Sequence, residues 1–207
     1  MLSSVLALSA YFIVWAVAHS LLASLPVKQW VRRAFGAGSD RWYRLAFNAT
    51  AAITVLPVPA MLALLPDRTL YVVPSPWRWW MVGGQVLALA ALVGTLLQTG
   101  VLHFLGVSQW FARQSDQSGT LQIRGLYCYV RHPLYLFSLF LIWLTPTLTV
   151  NLLILYFWIT VYFGVGSLHE ERRLLAEYGA AYQDYRQRVP RLIPRLRRCY
   201  PPTEEDA

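Results

Sequence analysis

Residues 131–173 read RHPLYLFSLFLIWLTPTLTVNLLILYFWITVYFGVGSLHEERR, and from Pro133 to Leu168 there are 36 residues without one Asp, Glu, Lys or Arg. A single helix of that length would run roughly 54 Å at about 1.5 Å per residue. A bilayer core is about 30 Å thick and takes about 20 residues per crossing, so one crossing cannot use up the run. Thr145-Pro146-Thr147 supplies a break, because an interior proline removes a helix hydrogen bond and clashes with the preceding turn. The run is expected to fold as a membrane hairpin over Pro133–Thr145 and Thr149–Leu168. Its polar ends, Tyr127–His132 and His169–Arg173, then return to one side of the membrane.

Outward from this stretch the chain keeps the same character. Of its 207 residues, 57% are apolar and 14% charged, where soluble domains carry about 25% charged residues. The composition points to a membrane protein. A net charge of +8 would suit nucleic acid, but the 18 Lys and Arg sit in short segments between apolar runs. Such segments belong to cytoplasmic loops and anionic headgroups, so the expected partner is the lipid bilayer and not nucleic acid. Leu2–Val27 is uncharged and longer than a signal-peptide core, and is expected to be a retained first span closed by Pro26. A basic loop with Lys28, Arg32, Arg33, Arg41 and Arg44 follows, then a second span over Leu45–Pro66. Asp67–Arg78 reads as a short connection, and Trp77, Trp79 and Trp80 suit the interfacial aromatic belt. Trp79 to about Gly100 reads as a third span, and Val101–Ala112 as a partly buried or interfacial segment.

The basic residues set an orientation. Sixteen of the 18 fall in the first loop, the loop before the hairpin and the tail after His169, leaving Arg68 and Arg78 on the other side. The positive-inside rule then predicts five crossings of a cell (inner) membrane, with the N-terminus outside and the C-terminus in the cytoplasm. The expected fold class is an all-α bundle of five transmembrane helices with a cytoplasmic amphipathic C-terminal helix. In the tail, Leu174, Leu175, Tyr178, Tyr182 and Tyr185 recur at helical spacing. The whole reads as one membrane domain: a three-span part over residues 1–120, a core over 121–194 and a polar tail over 195–207. Cys128 and Cys199 fall on the cytoplasmic side, where disulfides are rare. Cys128 is expected to pack, since nothing near it forms a metal-ligand set.

The two ends of the hairpin concentrate chemistry. Arg131-His132-Pro133 opens the fourth span, and a helix N-terminus suits an anionic group such as a ligand carboxylate. Glu170 and Glu171 close the fifth span, where a helix C-terminus disfavours anions unless arginines or a cationic ligand compensate. A zwitterionic ligand with a cationic centre would use both ends. Plainer readings stand beside this one. His132 can cap a helix at the headgroups, the glutamates can pair with Arg172, Arg173 or Lys28, and the tail can be a helix lying on the headgroups. His19 and His103 could serve as axial ligands of a bis-His haem, or hydrogen-bond within the bundle.

GLYCYVRHPLY at Gly125–Tyr135, followed after the apolar run by EERRLLAEYGAAYQDYRQRVPRLIP at Glu170–Pro194, resembles the isoprenylcysteine carboxyl methyltransferase superfamily. That superfamily also takes in phospholipid N-methyltransferases, methanethiol S-methyltransferases and nurim. AHSLLAS at Ala18–Ser24 and HFLG with SQ at His103–Gln109 are similar to its small-thiol and nurim-like branches. The resemblance implies a membrane methyltransferase using S-adenosylmethionine and a small or lipophilic acceptor: a thiol, a prenylcysteine or a lipid. It implies cofactor-binding roles for Tyr127, His132, Pro133, Tyr135, Glu170, Glu171, Arg172, Tyr182 and Tyr185, and catalytic roles for His132, Arg131 and Glu171. No metal is implied. Phe137 departs from the family's RHPxYxG pattern by filling the glycine position, and Thr160–Ser167 offers only hydroxyls, which disfavours a carboxylate acceptor. The competing class is a non-catalytic membrane scaffold that keeps the same bundle.

Overall fold

The computed structural model describes residues 1–101, 121 and 123–194. His103, Cys199, most of the Val101–Ala112 segment and the polar tail after Pro194 lie outside the described residues. The chain is mostly helical and divides into two compact units. One holds Met1–Val72 and Thr147–Trp158. The other holds Val73–Thr99, residues 123–146 and residues 159–194.

In the first unit, α1 spans Leu2–Ala23 and stops short of the expected Val27. Ser24 turns extended, and Pro26 starts a new helix, α2, over Leu25–Phe35. Proline is favoured in a first turn, where its missing N–H has no partner to lose. The expected basic loop is therefore largely helical, and Arg32 and Arg33 in the last turn complement the helix dipole. α3 (Ser39–Val55) and α4 (Pro57–Leu64) form one 26-residue apolar rod, beginning six residues before the expected Leu45. Leu8 and Phe12 are buried, and the Phe12 ring stacks on Trp158.

One small ladder departs from the all-helical expectation. β1 (Thr69–Val72) pairs antiparallel with β2 (Thr147–Thr149), with Thr69 opposite Thr149 and Val72 opposite Thr147. Around it, Asp67 Oδ1 accepts the Asn151 backbone N–H at 3.0 Å, and Ser4 Oγ donates to the Pro66 carbonyl at 2.7 Å. Burial opposes ionisation of Asp67. Hydrogen bonds from Thr149, Asn151, Arg68 and Val150 outweigh it and hold the carboxyl below its usual range.

In the second unit, α5 (Trp77–Thr99) packs along α6 (Pro133–Trp143), and Gln85 Nε2 donates to the Leu141 carbonyl at 2.8 Å. The proline break falls where the sequence placed it: α6 ends at Trp143, and α7 runs from Val150 to Arg188. Helix α7 carries the tail past His169 as far as a kink at Gly179, beyond which residues 180–188 form a second helical stretch. Among the described residues, four helices are long and apolar enough to cross a membrane: α1, the α3–α4 rod, α5 and α7. Val14, Leu64 and Trp80 on these elements are more than two-thirds exposed. Such apolar faces would be a liability in water and are ordinary against lipid.

Candidate active site

The apolar part of α7, from Val150 to Leu168, is about 28 Å long at 1.5 Å per residue and suffices to cross a bilayer core. The described residues from His169 to Pro194 follow that apolar stretch. Just past it, α7 places Glu170 and Glu171 against the start of α6. Pro133 is the first helical residue there and His132 its N-cap. A short 3₁₀ turn over Gly125–Cys128 leads in, with Gly125 at φ +64° and no room for a Cβ beside the Gln98 amide. Cys128 in this turn is buried, as expected of a packed residue.

Arg131 is the most heavily committed group in the site. Its Nε and Nη2 reach Glu171 Oε1 at 2.9 and 2.7 Å, and its Nη1 donates to the carbonyls of Arg186 and Val189. The side chains of Arg131 and Glu171 are only 8% and 6% exposed. Glu171 Oε1 also lies 3.3 Å from His132 Nε2, and its Oε2 lies 3.8 Å from Arg186 Nε. On the other ring nitrogen, His132 Nδ1 stands 3.6 Å from Glu170 Oε2, which accepts the Tyr135 hydroxyl at 2.9 Å. Burial works against the Glu170 charge, but the adjacent His132 ring, the Tyr135 hydrogen bond and the Arg173 charge keep its carboxyl below the usual range. Glu170 remains about one-third exposed, so this anion faces outward while Glu171 is sealed.

Rings line the same region. His132 stacks on Tyr135 at 5.3 Å, and Tyr135 on Phe163 at 4.8 Å. Phe137, at the family's glycine position, is half-buried with its ring beside Phe140. Thr160 Oγ1 accepts the Trp143 indole N–H, and Ser167 Oγ donates to the Gly164 carbonyl. Both hydroxyls are thus engaged within the protein.

Tyr182 and Tyr185 anchor a small core with Ile123 and Val189. Their hydroxyls differ. The Tyr185 hydroxyl donates to the Tyr127 carbonyl at 2.6 Å. The Tyr182 hydroxyl is buried without a partner in a side chain only 1% exposed. Burial and then the Glu171 charge push the Tyr182 phenol up to about 12, so it is a neutral donor at working pH. The segment after α7 folds back: the N–H groups of Arg131 and His132 donate to the carbonyls of Pro190 and Arg191 at 2.9 and 3.2 Å. Of the residues expected at the site, Arg131, His132, Pro133, Tyr135, Glu170, Glu171 and Tyr182 come together, whereas Tyr127 contributes a carbonyl and Arg172 is exposed. Arg186 and Val189 were not anticipated, because main-chain carbonyls carry no residue-type signal. No cluster able to hold a metal occurs among the described residues. His19, far earlier in the chain, stacks on Trp15 and meets Phe47 at a tilt.

Comparison with known proteins places this geometry in context. Residues 83–181 match the family described as phospholipid methyltransferase. Methanethiol S-methyltransferase 2 of Bradyrhizobium diazoefficiens is 32% identical over 192 residues, covering 88% of this chain and 70% of that protein. Methanethiol S-methyltransferase of Pseudomonas deceptionensis is 31% identical over 191 residues, covering 89% and 70%. Nurim of Bos taurus is 27% identical over 175 residues, covering 77% and 64%. No solved structure matches the chain.

Proposed function

Because the chain belongs to the phospholipid methyltransferase family and is a membrane methyltransferase, we propose that it methylates a small lipophilic thiol with S-adenosylmethionine as donor. The observation that carries this reading is the pairing of a sealed Arg131–Glu171 ion pair with an outward-facing Glu170, both against His132. The residues fit a zwitterionic donor with a cationic centre. Glu170 offers an accessible anion, and the Tyr182 hydroxyl is a buried polar group without a protein partner.

When bound, the donor supplies an electrophilic methyl group on a positively charged sulfur. Glu170 attracts that positive charge or the donor's ammonium. Arg131 has its nitrogens engaged by Glu171 and two carbonyls, so its role is to position Glu171 rather than to hold a ligand carboxylate. Glu171 in turn orients His132 through Nε2. We assign Nδ1 to accept the thiol proton, since its 3.6 Å separation from Glu170 exceeds a hydrogen bond. A thiolate formed there would take the methyl carbon while the bond pair stays with the donor sulfur, and His132 would pass the proton on to solvent. The engaged hydroxyls of Thr160 and Ser167 and the rings of Phe163 and Phe137 suit an apolar thiol better than a carboxylate.

The core carrying this site is residues 121–194 of a single membrane domain with five crossings. α6 alone is about 16 Å long at 1.5 Å per residue, and the extended residues after it supply the rest of its crossing. The basic residues put the N-terminus outside an inner membrane and the C-terminal end of α7 in the cytoplasm. Labelling Arg188→Cys with an impermeant maleimide decides it: no labelling before lysis supports the assignment, and labelling of intact cells reverses it.

The decisive experiment supplies the purified protein in nanodiscs with labelled S-adenosylmethionine and methanethiol and measures labelled dimethyl sulfide. Product that disappears with Glu170→Gln is expected. Donor binding without turnover on thiols, prenylcysteines and phospholipids would overturn the enzyme reading in favour of a scaffold.

A further inference from the structure

The first unit holds a cavity that the methyl-transfer site does not use. It lies between α1 and α3, has a volume of about 210 Å³, and is lined by Val14, Trp15, Ala18, Phe47 and Ala51 among others. Pockets that enclose drug-sized ligands run about 300–1,000 Å³, so this one suits part of a single hydrocarbon chain rather than a nucleoside. Val14 on its rim is 69% exposed, and α1 is one of the helices able to cross a membrane. The cavity therefore opens toward the lipid tails.

α2 closes one end of the α1–α3 pair. One residue separates it from α1 and three separate it from α3. At that end the Tyr43 hydroxyl on α3 donates to the Leu22 carbonyl on α1 at 2.6 Å, and Leu22 also lines the cavity. The helix is amphipathic in a way that matters. At 3.6 residues per turn, Trp30, Val31, Ala34 and Phe35 share one side, and Lys28, Arg32 and Arg33 the other. Val31 is buried in the unit, whereas Trp30 and Phe35 are 64% and 65% exposed. Lys28, Arg32 and Arg33 are all exposed, and Arg32 is only loosely paired with Asp40 at 3.5 Å. An apolar side that the protein leaves uncovered beside a basic side is the pattern of a helix lying at the headgroup level.

We propose that the α1–α3 cavity and the basic side of α2 together bind one anionic phospholipid. An acyl chain lies in the cavity, and the phosphate sits on Arg32 and Arg33, with Lys28 on the same side. The lipid is a bound structural ligand, separate from the methyl acceptor. Charge complementarity commits the site to an anionic headgroup, since juxtamembrane Lys and Arg are drawn to such a surface. A zwitterionic lipid, whose choline offsets its phosphate, would gain less there.

Native mass spectrometry of the detergent-purified full chain tests this, with dioleoyl phosphatidylglycerol or dioleoyl phosphatidylcholine added at equal concentration. Phosphatidylglycerol is expected to be retained at least tenfold more strongly. Arg32→Gln/Arg33→Gln should abolish the preference, and Ala18→Leu, at an exposed position on the cavity wall, should weaken retention of both lipids. Glycerol phosphate should not compete. Equal retention of the two lipids, or a preference unchanged in the double variant, overturns the proposal. Loss of preference in the double variant with full retention in Ala18→Leu overturns the cavity as the chain site. Competition by glycerol phosphate overturns the lipid in favour of a free phosphate. Methyl transfer by the double variant, measured separately, keeps this result distinct from failure of the catalytic reading.

Discussion

Arg131 and Glu171 meet 40 residues apart in sequence at 2.7 Å, with neither side chain more than 8% exposed. A buried pair of this kind is costly to break, because removing one partner strands the other charge. Arg131→Met and Glu171→Gln should each destabilise the protein by about 3–5 kcal/mol. Combining them should recover part of that loss, since neither charge is then left alone. Unfolding of the four proteins in one detergent, read as a double-mutant cycle, checks this; strictly additive losses would show that the pair is not coupled.

Tyr182 and Tyr185 separate a ligand role from a structural one. Tyr185→Phe leaves the Tyr127 carbonyl without its donor and should cost about 1–3 kcal/mol. Tyr182→Phe removes a hydroxyl that has no partner, so stability should hold or rise. Its affinity for the methyl donor should fall by about tenfold, the worth of one hydrogen bond near 1.4 kcal/mol. Calorimetric titration with the donor, beside thermal unfolding, distinguishes the two variants.

Gly179 interrupts α7 at φ +54° and ψ −124°, a conformation unfavourable for any residue with a Cβ. No atom would obstruct an added methyl there. Gly179→Ala should therefore cost about 1–3 kcal/mol through backbone strain alone. If α7 straightens instead, Tyr182 and Tyr185 rotate away from Ile123, and activity should fall more than stability does.

Asp67 predicts a pH dependence in the first unit. Its carboxyl is held below its ordinary value by hydrogen bonds that favour the charged form. The sign follows: the contribution is complete above the unfolded value of 3.8 and is lost as pH falls through the lower folded value. Asp67→Ala should lower stability at pH 7 by about 1 kcal/mol, the usual cost of a lost helix cap. The gap to wild type should close only well below pH 4. Equal gaps at pH 7 and pH 3 would refute this account.

Much of this architecture is legible in the residues because its determinants are local. Pro146 announces the break after α6, and the spacing of Arg131-His132 and Glu170-Glu171 across an uncharged run announces their meeting. α2 was hidden because its dense basic residues resemble a loop, and only Val31, Trp30 and Phe35 on one side reveal a helix. The β1–β2 ladder was hidden because three or four residues give too little alternation to read. The continuity of α7 past His169 was hidden by its change from uniformly apolar to amphipathic. The hold of Arg131 on the Arg186 and Val189 carbonyls leaves no trace in side-chain identity.

The Pro190 and Arg191 carbonyls pair with the N–H groups of Arg131 and His132 as a neighbouring strand would. Whatever is done to the chain just past α7 therefore reaches the reacting groups directly. A tag inserted near Arg188, or a protease cut at that junction, would silence the protein while leaving every helix intact.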